Sequence, residues 1–146
     1  MTDADTKKQR ISYVLKGNPI ALARMRISSN PLHHRVFDSQ KELKLISQIS
    51  ISNIHNDRPF FKAPIGIDCT FYFHIPKTNK TAHPGFHHVF KPDCDNCIKY
   101  LLDVCNNVIW QDDCKVSVVN CRKLYTCGEP RTEFTVFEMD NHEKDV

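Results

Sequence analysis

A chain of 146 residues with 40% apolar content supports one modest hydrophobic core and not two, so a single domain is expected over residues 1–139, followed by an acidic flexible tail at 140–146. No apolar run approaches the ~20 residues of a membrane-spanning helix, and the polar, acid-bearing start Met1–Lys7 does not read as an export signal, which points to a cytoplasmic protein of a bacterial or virus-infected cell. The net charge of +3 hides an asymmetry: residues 133–146 hold five acids against one lysine, leaving +7 on residues 1–132, enough for local phosphate contact.

In chain order, Ile11 to Lys16 reads as a strand, and after Gly17-Asn18-Pro19 a second extended stretch is expected from Ile20 to Ile27, with Arg24 and Arg26 on one face. A loop with Asn30-Pro31 and His33-His34 leads to Ser39-Gln40-Lys41-Glu42, a capping-box pattern. It predicts a helix to about Ile49 with Leu43, Leu45, Ile46 and Ile49 as its buried side. Ile65, Ile67, Cys69, Phe71, Phe73 and Ile75 alternate with Gly66, Asp68, Thr70, Tyr72 and His74, the period of a strand with one core face. Pro76 to Pro92 is a long connection rich in Lys, His and Pro, and structureless loops of that length are more often functional than idle.

A helix follows, opened by Asp93, Asp95 or Asn96, all good caps, with Cys97, Ile98, Leu101, Leu102 and Cys105 on one stripe. Val108-Ile109-Trp110, Val116 to Lys123 and Thr132 to Phe137 complete the strands, the last two joined by the turn Cys127-Gly128-Glu129-Pro130. Strands outnumber helices without regular βαβ alternation. The expected class is therefore α+β, with a mixed, mainly antiparallel sheet and two main helices.

Lys91-Pro92-Asp93-Cys94-Asp95-Asn96-Cys97-Ile98-Lys99 and, beyond the helix, Trp110-Gln111-Asp112-Asp113 concentrate carboxylates and a lysine around one short helix. Hard divalent cations acting on phosphate take oxygen ligands of this kind, keeping several waters and open positions. The plain structural account is that Asp93 and Asp95 cap the helix, that Asp112-Asp113 is a polar turn, and that Lys99 pairs with Asp95 or Asp103 along the helix for a few tenths of a kcal/mol. Asp103, near the helix C-terminus, is disfavoured there by the macrodipole and calls for a cationic partner.

The run Lys91 to Lys99, Asp103, Asp112-Asp113, Val116, Lys123 and Pro130-Arg131-Thr132-Glu133 together resemble the RusA family of Holliday junction resolvases, over roughly residues 11–139 and most densely from His88 to Glu133. The resemblance implies a homodimeric endonuclease that resolves four-way junction DNA and depends on Mg²⁺, with Mn²⁺ as a possible substitute and no small-molecule cofactor. It also implies Asp93, Asp95 and Asp113 as metal ligands and Lys99 as the catalytic lysine. Asp112 is the alternative ligand and Asp103 a supporting group. The family usually has a glycine near Asn107, after the helix, and asparagine tolerates the left-handed backbone.

Arg24, Arg26, His88, Lys91, Lys123 and Arg131 are the candidate DNA contacts, expected to grip phosphate and not to read bases. Seven cysteines and the spacing Cys94-x-x-Cys97 raise zinc and redox readings, but no second CxxC or thioredoxin-like setting accompanies them. The rival function is a non-catalytic nucleic-acid-binding accessory of recombination or replication. A DxD-dependent glycosyl- or nucleotidyltransferase is remote, because the chain offers no phosphate-binding glycine loop.

Overall fold

The structure, a computed structural model, describes residues 7–32 and 35–143; His33-His34, the start before Lys7 and the last three residues of the tail lie outside them. Its centre is β4 (Ile65–His74), whose Ile65, Ile67, Cys69 and Phe71 are at most 1% exposed and line one face. β6 (Arg131–Glu138) runs antiparallel along one side of β4, β1 (Arg10–Lys16) antiparallel along β6, and β5 (Val116–Thr126) parallel along the other side of β4. The order β1-β6-β4-β5, with two helices, is the expected α+β arrangement. Because β4 lies between β5 and β6, the turn at 127–130 joins strands that do not pair.

A parallel pair needs a crossover, and α2 (Cys94–Cys105) supplies it. Cys97, Leu101, Val104 and Cys105 are at most 1% exposed against the sheet. Burying Leu101 and Val104 is worth roughly 1.5–3 kcal/mol each, which fixes the helix and so the direction of its N-terminus. α1 (Lys41–His55) lies beside it, joined by Ser47 Oγ to Tyr100 Oη at 2.9 Å.

Several expected elements differ. The stretch from Ile20 is a strap, and only Arg26–Ile27 (β2) is extended, in a small ladder with Val36–Phe37 (β3). The strap satisfies its backbone elsewhere: Leu22 N–H donates to Asn96 O at 2.9 Å, while the Gln40 side chain accepts from Ala23 N–H and donates to Ala21 O. The capping box does not form. Gln40 occupies the cap position of α1, and its own N–H is taken by Asp38 Oδ1 at 2.9 Å.

α1 runs on to His55 and buries Ser47, Ile51 and His55; the expected inward side is outward, with Leu45, Ile46 and Ile49 at 56%, 62% and 53% exposure. Isoleucine and leucine occur all round this helix, so composition could not say which stripe meets the sheet. Val108-Ile109-Trp110 is a turn. Asn107 takes the left-handed conformation at φ 59° and its N–H donates to Trp110 O, which folds Ile109 and Trp110 back into the core as buried plugs. These residues are apolar because they are buried, and that pattern is shared by strands. The acidic tail begins anchored: Met139 N–H donates to Pro64 O, and Asp140 pairs with Lys8.

His55 links α1 to the sheet. Its Nε2 donates to Pro59 O at 3.1 Å, which leaves Nδ1 to accept from the Tyr13 hydroxyl at 2.7 Å. Burial holds its pKa below the ordinary 6.5, so the folded chain keeps it neutral where the unfolded chain takes a proton. Its contribution to stability is complete above about pH 6.5 and is lost as pH falls below that value. Urea unfolding between about pH 7.5 and 5.5 should show a decline that His55→Gln flattens; an equal decline in that variant would assign the effect elsewhere.

Candidate active site

The crossover from β4 to β5 sets the start of α2 over the middle of β5, where Lys123, the register partner of Phe71 on β4, meets the backbone at Pro92. The connection that delivers it is not idle. Gly85 and His88 donate to Tyr125 O and Lys123 O, and Tyr125 N–H donates to Phe86 O, so residues 85–88 are laced to the outer edge of β5. The Lys91–Pro92 peptide is cis. From β5, Lys123 Nζ donates to Phe90 O and Pro92 O, both at 2.7 Å, closing a clamp on the backbone that enters Asp93.

Asp93 stands at the N-cap position with extended backbone, yet its side chain makes no cap hydrogen bond. Its carboxylate accepts two bonds from Lys91 Nζ, at 2.9 and 3.0 Å, with the lysine head in solvent. Asp95, in the first turn, is 67% exposed and meets Lys99 only at 3.8 Å, an exposed pair worth little. The capping account of Asp93 is therefore absent from the structure, and both carboxylates of the DxD are open to a ligand.

Asp113 opens a single 3₁₀ turn, Asp113–Lys115, that packs beside α2. Burial raises its pKa, and Asp112 and Asp103 nearby raise it further. Asp112 is exposed, and the Cys114 thiol lowers its pKa by hydrogen bonding to it. The inward member of the pair is thus Asp113. Asp103 has the cationic partner its position calls for: Lys44 of α1, at 2.9 Å, which also holds Asp38.

Among the described residues no three His, Cys, Asp or Glu side chains stand together as a metal-holding group, so Asp93, Asp95 and Asp113 are not gathered into one shell. Two open carboxylates remain compatible with Mg²⁺ in donor type, since that ion is commonly held by one or two carboxylates with water and substrate phosphate completing its octahedron.

The candidate DNA contacts divide. Arg24 and Arg26 are exposed, Arg24 two residues beyond the strap bond to Asn96, and neither takes part in an ion pair among the described residues. Lys91 is 86% exposed. Lys123 is spent on carbonyls, and Arg131 on Glu133, Glu129 O and the Tyr72 ring. His88 stacks on Phe73 at 4.0 Å with Nδ1 buried and unpartnered; burial first, and the Lys123 charge second, lower its pKa. It packs in the loop against Phe73 and Tyr125, surroundings that favour its neutral form.

Sequence reasoning missed the Lys123 clamp, the Lys44 bridge and a contact between Cys94 and Cys121 at 3.0 Å. The alternation along Val116–Thr126 already places Cys121, Lys123 and Tyr125 on one face, but what that face meets is a long-range fact.

The family description Endodeoxyribonuclease RusA matches residues 16–137. A curated relative, Uncharacterized protein YqaN of Bacillus subtilis (strain 168), is 27% identical over 139 residues, covering 88% of this chain and 96% of its own length. No helix among the described residues is long and apolar enough to cross a membrane.

Proposed function

The chain belongs to the RusA family of endodeoxyribonucleases, and from that premise we propose that it resolves four-way (Holliday) junctions by paired, symmetric phosphodiester cleavage. The observation that carries the reading is the pair of carboxylates at the start of α2, positioned by the Lys123 clamp and left unspent by the helix cap.

Asp93 and Asp95 would hold Mg²⁺ or Mn²⁺; Asp113, the third ligand that the family resemblance implies, stands near Asp103 and outside their shell in this structure, so it would join them only with a shift of the Asp113–Lys115 turn. The ion, when bound, polarises the scissile phosphate and lowers the pKa of water. The remaining work falls to this chain's own residues. Lys99, one turn into α2 and only loosely held by Asp95, stabilises charge growing on the phosphate. Lys91 leaves Asp93 for a phosphate oxygen as substrate arrives. Arg24 and Arg26 hold the flanking backbone and fix orientation without reading sequence.

A labelled junction incubated with protein and Mg²⁺ should yield symmetric nicks with 5′-phosphate ends. Binding without cleavage in either metal would sink the proposal in favour of a non-catalytic accessory protein.

Cuts in two strands of like polarity need two centres related by a two-fold axis, hence a homodimer with a self-complementary contact. The outward side of α1 fits that role: from Leu45 to Ile54 the helix carries no charge, and Leu45, Ile46 and Ile49 are each more than half exposed. Ile46→Glu together with Ile49→Glu should give a folded monomer by light scattering and lose paired incision while retaining weak nicking. A variant that stays dimeric would place the axis elsewhere.

A further inference from the structure

We propose that Cys94 and Cys121 form an oxidisable thiol pair, which hydroperoxide joins into a disulfide tying the first turn of α2 to β5. The two sulfurs stand 3.0 Å apart, from positions 27 residues apart in sequence, and both side chains are half-buried. A disulfide bond is about 2.05 Å long, so closure asks for a movement of about 1 Å.

The other thiols are less well placed. Cys69, Cys97 and Cys105 are wholly buried. Cys114 and Cys127 are exposed, where oxidation leads to acids or to links between molecules.

The chemistry closes with one equivalent of peroxide. The Cys94 sulfur attacks the O–O bond, becoming a sulfenic acid as the first water leaves. The Cys121 sulfur then displaces the hydroxyl as a second water and forms the S–S bond. The two thiol protons leave in the two waters, and the two electrons lost by sulfur reduce the peroxide.

The place of the bond gives it a consequence. Cys94 lies between Asp93 and Asp95, and Cys121 two residues before the clamp lysine on the same strand. Drawing the helix start toward β5 by about 1 Å displaces both carboxylates, and a misplacement of that size costs up to about a hundredfold in rate. This last step rests on the proposed junction cleavage; the disulfide itself does not.

The full chain, treated with hydrogen peroxide, alkylated and digested with trypsin without reduction, should show residues 81–99 joined to residues 116–122. The link should persist in Cys97→Ser, vanish in Cys94→Ser and in Cys121→Ser, and be removed by dithiothreitol. A link that survives Cys94→Ser, a bridge between Cys94 and Cys97, or cysteine acids alone would overturn the pair. In parallel, junction cleavage should fall at least tenfold on oxidation, recover with dithiothreitol, and not respond in either serine variant. Equal cleavage by the linked and reduced forms would overturn the consequence for activity. A reduced protein that never cuts, yet forms the link, would count against the function proposed above and leave the thiol pair standing.

Discussion

Asp95→Asn is expected to reduce junction cleavage by at least about a thousandfold, a loss of roughly 4 kcal/mol of transition-state stabilisation, while junction affinity is kept or improved. The reason is that Asp95 is 67% exposed and packs against nothing whose loss would unfold the chain. Its carboxylate has two effects on bound DNA: it supplies an oxygen ligand, and it repels phosphate. Asparagine removes both, so chemistry falls while grip does not. Asp93→Asn should behave alike, with the added release of Lys91 from its ion pair. Asp112→Asn should be milder than Asp113→Asn, because Asp113 is the member turned toward Asp103 and α2. Single-turnover cleavage and gel-shift titrations on the same preparations decide the matter. Binding lost in parallel with cleavage would mean the carboxylates support the fold.

What could be read from the sequence followed the range of the interaction. The DxD, its helix and the long central strand are local patterns: a proline and acids before an apolar stripe, and an alternation from Ile65 onward. Each was legible because neighbours in sequence determine it. Asn107 was legible for the same reason, as a left-handed residue after a helix. The orientation of α1 was not, because hydrophobic residues on several sides leave the choice of stripe to whatever the helix meets. The extended reading of Ile20–Ile27 failed at Gln40, whose side chain takes the place of a neighbouring strand for Ala21 and Ala23. Lys123 and Arg131 read as phosphate ligands because they are basic and close to the motif in order. In the folded chain both charges have internal partners: those of Lys123 are loop carbonyls more than thirty residues away in sequence, while Glu133 and Glu129 O lie two residues from Arg131.

That difference separates two kinds of basic residue, and Lys123→Met tests the separation. Methionine keeps the length and apolar stem of lysine but donates nothing, so Phe90 O and Pro92 O lose the ammonium that holds them at 2.7 Å and the backbone entering Asp93 loosens. The expected result is a fall in cleavage of about tenfold to a hundredfold, as reacting groups drift by a fraction of an ångström to one ångström. Affinity for the junction should change little, and the slope of affinity against salt should stay as in the parent, since a lysine spent on carbonyls releases no counterions from DNA. Arg24→Gln with Arg26→Gln should do the reverse: a shallower salt slope and weaker binding of all junctions alike, with the rate of the bound complex nearly unchanged. The charge-keeping Lys123→Arg cannot reproduce the clamp of a compact ammonium on two carbonyls, so it should restore cleavage only in part. A Lys123→Met variant whose salt slope flattens while its single-turnover rate holds would make Lys123 a phosphate ligand after all, and the positioning of Asp93 would then have to come from the Gly85–His88 lacing along β5 alone.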